Sequence, residues 1–229
     1  MMNIAANYTR IRAHVAEVAQ RCGRRPEDIT IVCAAKTKGP EAVRAALAAG
    51  ATDIGENYVQ EARGKITLVP EHARWHLIGH LQRNKVKEAL RLFSLLHSLD
   101  SVALARELQR QAEKLGTTVR TLIEINLGGE HTKSGITREQ VEHLLAAVTV
   151  LPAVRVEGFM TIPPPGPTAE ASRPYFRTLA RLRQQYSRHQ TPNIVLRELS
   201  MGMTDDYAVA IEEGATIVRI GRAIFGERQ

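Results

Sequence analysis

Eight short apolar runs rich in β-branched residues recur along the chain, and each gives way to a loop and then to a stretch with helical spacing of its apolar positions. Strands that alternate with helices in this way imply a parallel sheet. The runs are ITIVCAAK (29–36), ATDIGEN (51–57), RWHLIG (74–79), FSLLHSLD (93–100), VRTLIEINL (119–127), VRVEGFMTI (154–162), IVLRELSMG (194–202) and ATIVRIG (215–221). Eight units in 229 residues predict a closed (β/α)8 barrel of the TIM type, with residues 1–229 as a single domain. An open doubly wound sheet is the alternative.

Local punctuation supports the intervening helices. Pro40 stands in the first turn and Gly50 at the C-terminal cap of GPEAVRAALAAG. Asp100 or Ser101 caps the helix at 102–116, whose Val102, Ala105, Leu108, Ala112 and Leu115 share one face. The first twenty residues mix polar and apolar positions at helical spacing and lack the apolar core of a secretory signal. No run approaches the ~18 apolar residues of a membrane span, so a cytoplasmic protein is expected.

Composition narrows the partners. A hydrophobic content of 44% supports an ordinary core, and only 4% aromatic residues, with Trp75 the sole tryptophan, argues against stacking platforms for single-stranded nucleic acid. A net charge of +7 favours anionic ligands. The arginine-rich stretch 177–189, with Arg177, Arg181 and Arg188, reads as a solvated helix face. Of two cysteines, Cys33 sits within a strand and is expected to pack as a small hydrophobe.

In a barrel of this type, active sites gather at the C-terminal strand ends. Four such ends carry chemistry: AAKTK, IGENYVQE, ELSMGMTDD and VRIGRAIFG. Lys36 closes the first strand run, where a dry environment lowers an amine's pKa toward the neutral, nucleophilic form. SMG and RIG bring small residues and backbone N–H groups to a place where a phosphate could sit, with Ser200 adding a hydroxyl and Arg219 a cation. His72, His76 and His80 have the spacing of helical metal ligands, but on a strand four residues span roughly 13 Å, too far for one ion. No metal site is expected. Asp205 and Asp206 are read as capping the helix that follows.

In this order, AAKTK, IGENYVQEA, WHLIGHLQRNK, HSLD, EINLGGEHTKSG, GFMTIP, LSMGMTDDYAVAIEEGATIVRIG and AIFG closely resemble the pyridoxal phosphate homeostasis protein family, relatives of the N-terminal barrel of alanine racemase. The resemblance runs nearly end to end. It implies an alanine racemase N-terminal-like barrel and makes Lys36 the Schiff-base lysine for pyridoxal 5'-phosphate. It further implies that Ser200, Gly221 and Arg222 hold the phosphate, that Arg219 faces the pyridine nitrogen, and that Asn57 is a pocket residue. Two positions depart from the family pattern. Arg222 replaces a usual threonine, so its guanidinium either forks onto the phosphate or turns outward, leaving its backbone N–H. Arg83 replaces a common serine further from the pocket.

The function expected from this resemblance is that of a non-catalytic carrier, which holds the cofactor and buffers or delivers it in vitamin B6 homeostasis. Apo pyridoxal-phosphate enzymes are the expected acceptors, and the chain is expected to be a monomer without nucleic-acid or membrane partners. An amino-acid racemase with weak activity is the alternative, and a Schiff-base aldolase a third reading. Against the racemase stand the FGERQ ending directly after the eighth unit, which leaves out the C-terminal β domain, and the lack of a marked opposite-face base. Tyr58 and Tyr207 are candidates for that base only by position. Lys38 and Lys133 are expected near the pocket mouth, where they could hold an anion in transit.

Overall fold

The computed structural model describes residues 3–69, 73–130, 134–188 and 191–227. Eight strands, β1 (Thr30–Ala34), β2 (Asp53–Glu56), β3 (Arg74–Leu77), β4 (Leu95–Leu99), β5 (Val119–Glu124), β6 (Val154–Met160), β7 (Ile194–Ser200) and β8 (Ile217–Ile220), close into a barrel in sequence order. Every neighbouring pair is parallel, and β8 closes on β1 from Thr30↔Ile217 to Cys33↔Ile220. The expected barrel is therefore the observed one, and the open sheet is not formed. Nine helices ring or cap it: α1 (Ile4–Arg21), α2 (Pro40–Ala48), α3 (Val59–Ile66), α4 (Val86–Leu92), α5 (Val102–Leu115), α6 (Val141–Thr149), α7 (Arg173–Tyr186), α8 (Tyr207–Glu212) and α9 (Arg222–Phe225), among the described residues.

The period-2 alternation of strand side chains divides the core into two. Outward residues such as Ile31, Cys33, Val218 and Ile220 pack under the helices in the larger apolar cluster. Inward residues Val32, Ala34, Ile78, Leu95, Leu122, Met160 and Ile217 fill the barrel itself. Cys33 is fully buried and its thiol is pushed up to about 12 by that burial, as suits a packing residue.

The strands are shorter than the apolar runs that predict them. β1 stops at Ala34 and β8 at Ile220, so the last residues of each run form the rim of the barrel. At α5 the cap is Ser101, whose Oγ accepts from the Leu104 N–H at 3.2 Å. Gly116 ends that helix in the left-handed region at φ 62°. The face it buries is Leu104, Ala105, Leu108, Gln109 and Ala112; Val102 and Leu115 are only half-buried. The arginine-rich helix α7 is indeed a solvated face: Arg173 pairs with Glu170, Glu212 and Glu213, and Arg177 with Glu213. Among the described residues, no helix is long and apolar enough to cross a membrane.

Candidate functional site

A cavity of about 670 Å³ opens at the C-terminal mouth of the barrel. Its wall is the inward row of the strands carried one or two steps past their ends. Ala34 leads to Lys36, Ile78 to His80, Glu124 to Asn126, and Arg219 to Gly221, and all of these line the cavity. Asn57 joins them from the end of β2. Gly79 makes this arrangement possible, because a Cβ there would lie 2.5 Å from the Asn57 carbonyl oxygen.

Lys36 sits on a tight turn beyond β1. The Lys38 N–H donates back to the Ala35 carbonyl at 3.0 Å, and Thr37 between them takes φ 66°, the one positive φ outside glycine among the described residues. A non-glycine residue there costs about 1–3 kcal/mol and persists only when its surroundings over-determine it. They do so here. The Thr37 N–H donates to Glu61 at 3.3 Å, and the Lys65 ammonium donates to the Ala35 carbonyl at 2.8 Å and to Glu56 at 2.7 Å. Burial pushes the Glu56 carboxyl up, and Lys65 opposes the shift. This buried pair clamps the peptide next to Lys36.

Arg219 forms the floor. It is 3% exposed, with Nη1 donating to Ser200 Oγ at 2.6 Å and Nη2 to the Thr161 carbonyl at 3.0 Å. Burial lowers its pKa to about 10, which Glu124 partly offsets, so the guanidinium stays charged at neutral pH. Glu124 is pushed up to about 7 by burial and by Asp100, with Arg219 pulling the other way.

The turn after β8 is held open at Gly221, where the Ala34 carbonyl would lie 3.3 Å from an added Cβ. Thr204 Oγ1 meets the Ala223 N–H at 3.4 Å beside it. Gly202, at φ 88°, makes the reversal after β7 that delivers Thr204; a Cβ there would strike Ala210 at 2.5 Å. The Arg222 guanidinium pairs with Asp205 and stands 3.6 Å from Glu227, both on the cavity wall.

Of the expected site residues, Lys36, Asn57, Arg219, Gly221 and Arg222 all line this one cavity. Ser200 does not line it. Its Cα is in register with Ile217, one inward step below Arg219, so its hydroxyl lies beneath the floor and is engaged by Arg219 and His97. Thr204, four residues on, does line the cavity, as does Ser134 from the loop after β5. Asp206 takes the N-cap position of α8, as expected, but without a capping hydrogen bond. Neither side chain caps α8; Asp205 pairs with Arg222, and Asp206 accepts from the Met203 N–H and from Ser172.

The structure separates the histidines. His76 lies inside the barrel between Asp53 and His97, while His80 pairs with Asp100 at the cavity wall; His72 is outside the described residues. Neither candidate tyrosine lines the cavity. Tyr58 is 61% exposed, and the Tyr207 hydroxyl lies 2.6 Å from His14 on α1. The Lys38 ammonium donates to the Glu227 carbonyl at the rim, and Lys133 is outside the described residues. Glu124, Asn126 and Thr204 went unnoticed in the sequence, although the inward parity of β5 marks the first two.

Comparison with known proteins agrees with this architecture. Residues 6–229 match the alanine racemase N-terminal domain family. A pyridoxal phosphate homeostasis protein of Aquifex aeolicus is 43% identical over 229 residues, covering all of both chains. A crystal structure of an unknown protein from Bifidobacterium adolescentis superposes with a TM-score of 0.92 at 33% identity, covering 97% of this chain and 94% of that one. PipY of Synechococcus elongatus, solved with pyridoxal phosphate bound, has a TM-score of 0.82 at 33% identity, covering 93% of this chain and all of its own. The chain belongs to the pyridoxal phosphate homeostasis protein family, within the wider family of alanine racemase N-terminal barrels.

Proposed function

We propose that the chain binds pyridoxal 5'-phosphate in this cavity and acts in cytoplasmic cofactor homeostasis, buffering or delivering it without turning over a substrate. The observation that carries the reading is the convergence of an amine, a buried guanidinium and an open backbone turn on one cavity of about 670 Å³. The shapes are compatible: Lys36 and the Gly221 turn stand on the same cavity, and Gly221 keeps the turn free of a Cβ. The bound PipY relative supports the choice of ligand.

In this reading the Lys36 amine would hold the cofactor, whose aldehyde supplies the group an amine captures. Asn57 would border the ring, and Arg219 would stand at the pyridine nitrogen. A cation there disfavours ring protonation and so weakens the electron sink that carbanion chemistry requires. The Gly221–Ala223 backbone and the Thr204 hydroxyl would take the phosphate, in place of Ser200. Arg222 joins them only by leaving Asp205. The engaged Tyr207 and outward Tyr58 support a carrier, since neither supplies a second base.

The test is borohydride reduction of cofactor-loaded protein, followed by peptide mass spectrometry. A pyridoxyl group on Lys36 is expected; a group elsewhere, with Lys36 unmodified, removes the assignment. The same loaded protein incubated with L-alanine in deuterated water is expected to yield no D-alanine beyond one equivalent. Repeated turnover that Lys36→Ala abolishes would make it an enzyme.

A further inference from the structure

A single hydrogen-bonded chain threads the barrel interior from bottom to top. Asp53, the first residue of β2, lines a separate cavity of about 320 Å³ at the opposite mouth and holds Arg74 at 2.6 and 2.8 Å. Its Oδ1 lies 2.9 Å from His76 Nε2. His76 Nδ1 lies 2.9 Å from His97 Nε2, and His97 Nδ1 lies 2.9 Å from Ser200 Oγ. Ser200 in turn accepts from Arg219, on the floor of the upper cavity. All five residues are at least 96% buried.

With both imidazoles neutral, the two ends dictate the direction of every bond between them. A guanidinium only donates and an ionised carboxylate only accepts. Ser200 Oγ accepts from Arg219, and its own proton, which has no other acceptor among the described contacts, goes to His97 Nδ1. His97 must then carry its proton on Nε2 and give it to His76 Nδ1, and His76 gives its Nε2 proton to Asp53. The reverse order would set the lone pair of His76 Nε2 against the Asp53 carboxylate, and would leave the Ser200 proton with no acceptor among the described contacts. The electrostatics agree with a neutral His97. His97 is driven well below its ordinary range by burial, by His76 and by Arg219, against the pull of Asp53. Burial would raise Asp53, but hydrogen bonds from His76, Arg74 and Thr52 outweigh it and hold the group ionised.

We infer that Asp53, His76, His97 and Ser200 form a proton-ordered positioning chain for Arg219, anchoring its Nη1 below the floor so that its remaining N–H groups face the bound ring. The effect on the ring rests on the cofactor reading above; the proton order does not. Each donor in such a chain polarises the next, so the Asp53 charge is felt at Ser200 without any net charge in the barrel interior between them. None of these four residues lines the upper cavity, and each acts through its neighbour.

The test uses the full chain with ¹⁵N-labelled histidine, without and with pyridoxal phosphate. His76 and His97 signals are assigned among the 8 histidines by His76→Gln and His97→Gln. Long-range proton–nitrogen correlation is expected to show both as Nε2–H tautomers, with His97 unchanged between about pH 6 and 8, where a free imidazole titrates. An Nδ1–H tautomer or an imidazolium at either position overturns the chain. Addition of pyridoxal phosphate to the unaltered protein is expected to move the His97 Nδ1 resonance; binding that leaves it in place shows that the chain does not reach the site. Failure to bind at all, with the tautomers as expected, would instead refute the cofactor reading. In Asp53→Asn, affinity for pyridoxal phosphate and for pyridoxal should fall together, by about tenfold, the low end for weakening one hydrogen bond of a charged group. Unchanged affinity for both, in a variant that folds, also overturns the coupling.

Discussion

Ser200→Ala distinguishes a residue that holds the phosphate from one that holds Arg219. Ser200 Oγ accepts from the Arg219 guanidinium at 2.6 Å and meets His97 Nδ1 at 2.9 Å, with all three groups buried. Alanine removes little volume, so the cavity contribution is small. What it removes is one hydrogen bond to a charged donor, about 1.5–3 kcal/mol, and it leaves the His97 Nδ1 lone pair without its donor. Taking about 2 kcal/mol, the apo protein should melt roughly 4–8 °C lower for a chain of this size. Arg219 retains the Thr161 carbonyl but loses its second anchor, so its alignment on the ring is relaxed. Affinity for pyridoxal phosphate and for pyridoxal should therefore fall by a common factor of about tenfold or more. Thermal unfolding of the apo protein and absorbance titration with the two ligands measure both effects. A loss confined to the phosphorylated ligand would put Ser200 back in the phosphate site, and an unchanged melting temperature would show that the hydroxyl carries no bond.

Two further changes probe the walls of the same cavity. Thr204→Val keeps the shape but deletes the hydroxyl beside the Ala223 N–H; it should weaken pyridoxal phosphate by about tenfold to a hundredfold and leave pyridoxal nearly unaffected, and equal losses would exclude a phosphate role. Glu124 has its folded pKa raised to about 7 by burial and Asp100, above the ordinary 4.5, so the folded state binds the extra proton between these values and stability falls as pH rises through that window. Glu124→Gln should flatten this slope and leave the apo protein about 2–3 kcal/mol more stable than the parent above pH 7; parallel urea-denaturation curves for the two proteins from pH 5 to pH 8 would refute it.

Much of the protein is written locally. Alternating β-branched runs and amphipathic helices suffice for a parallel eight-unit barrel, because period and turn chemistry are properties of short segments. Lys36 and Arg219 were legible for the same reason: parallel closure brings every C-terminal strand end to one mouth, whatever the pairing details. Depth within the barrel was not legible. Ser200 and Thr204 are hydroxyls of one short stretch, SMGMT, and the sequence offers no reason to prefer the second. The β7–β8 register decides, by setting Ser200 level with Ile217 and beneath the Arg219 side chain. Likewise His76 and His97 are merely inward residues of two strands until closure stacks them between Asp53 and Ser200, partners up to 103 residues apart. Periodicity says which way a side chain points; only the packed barrel, through shear and layer, says what it meets.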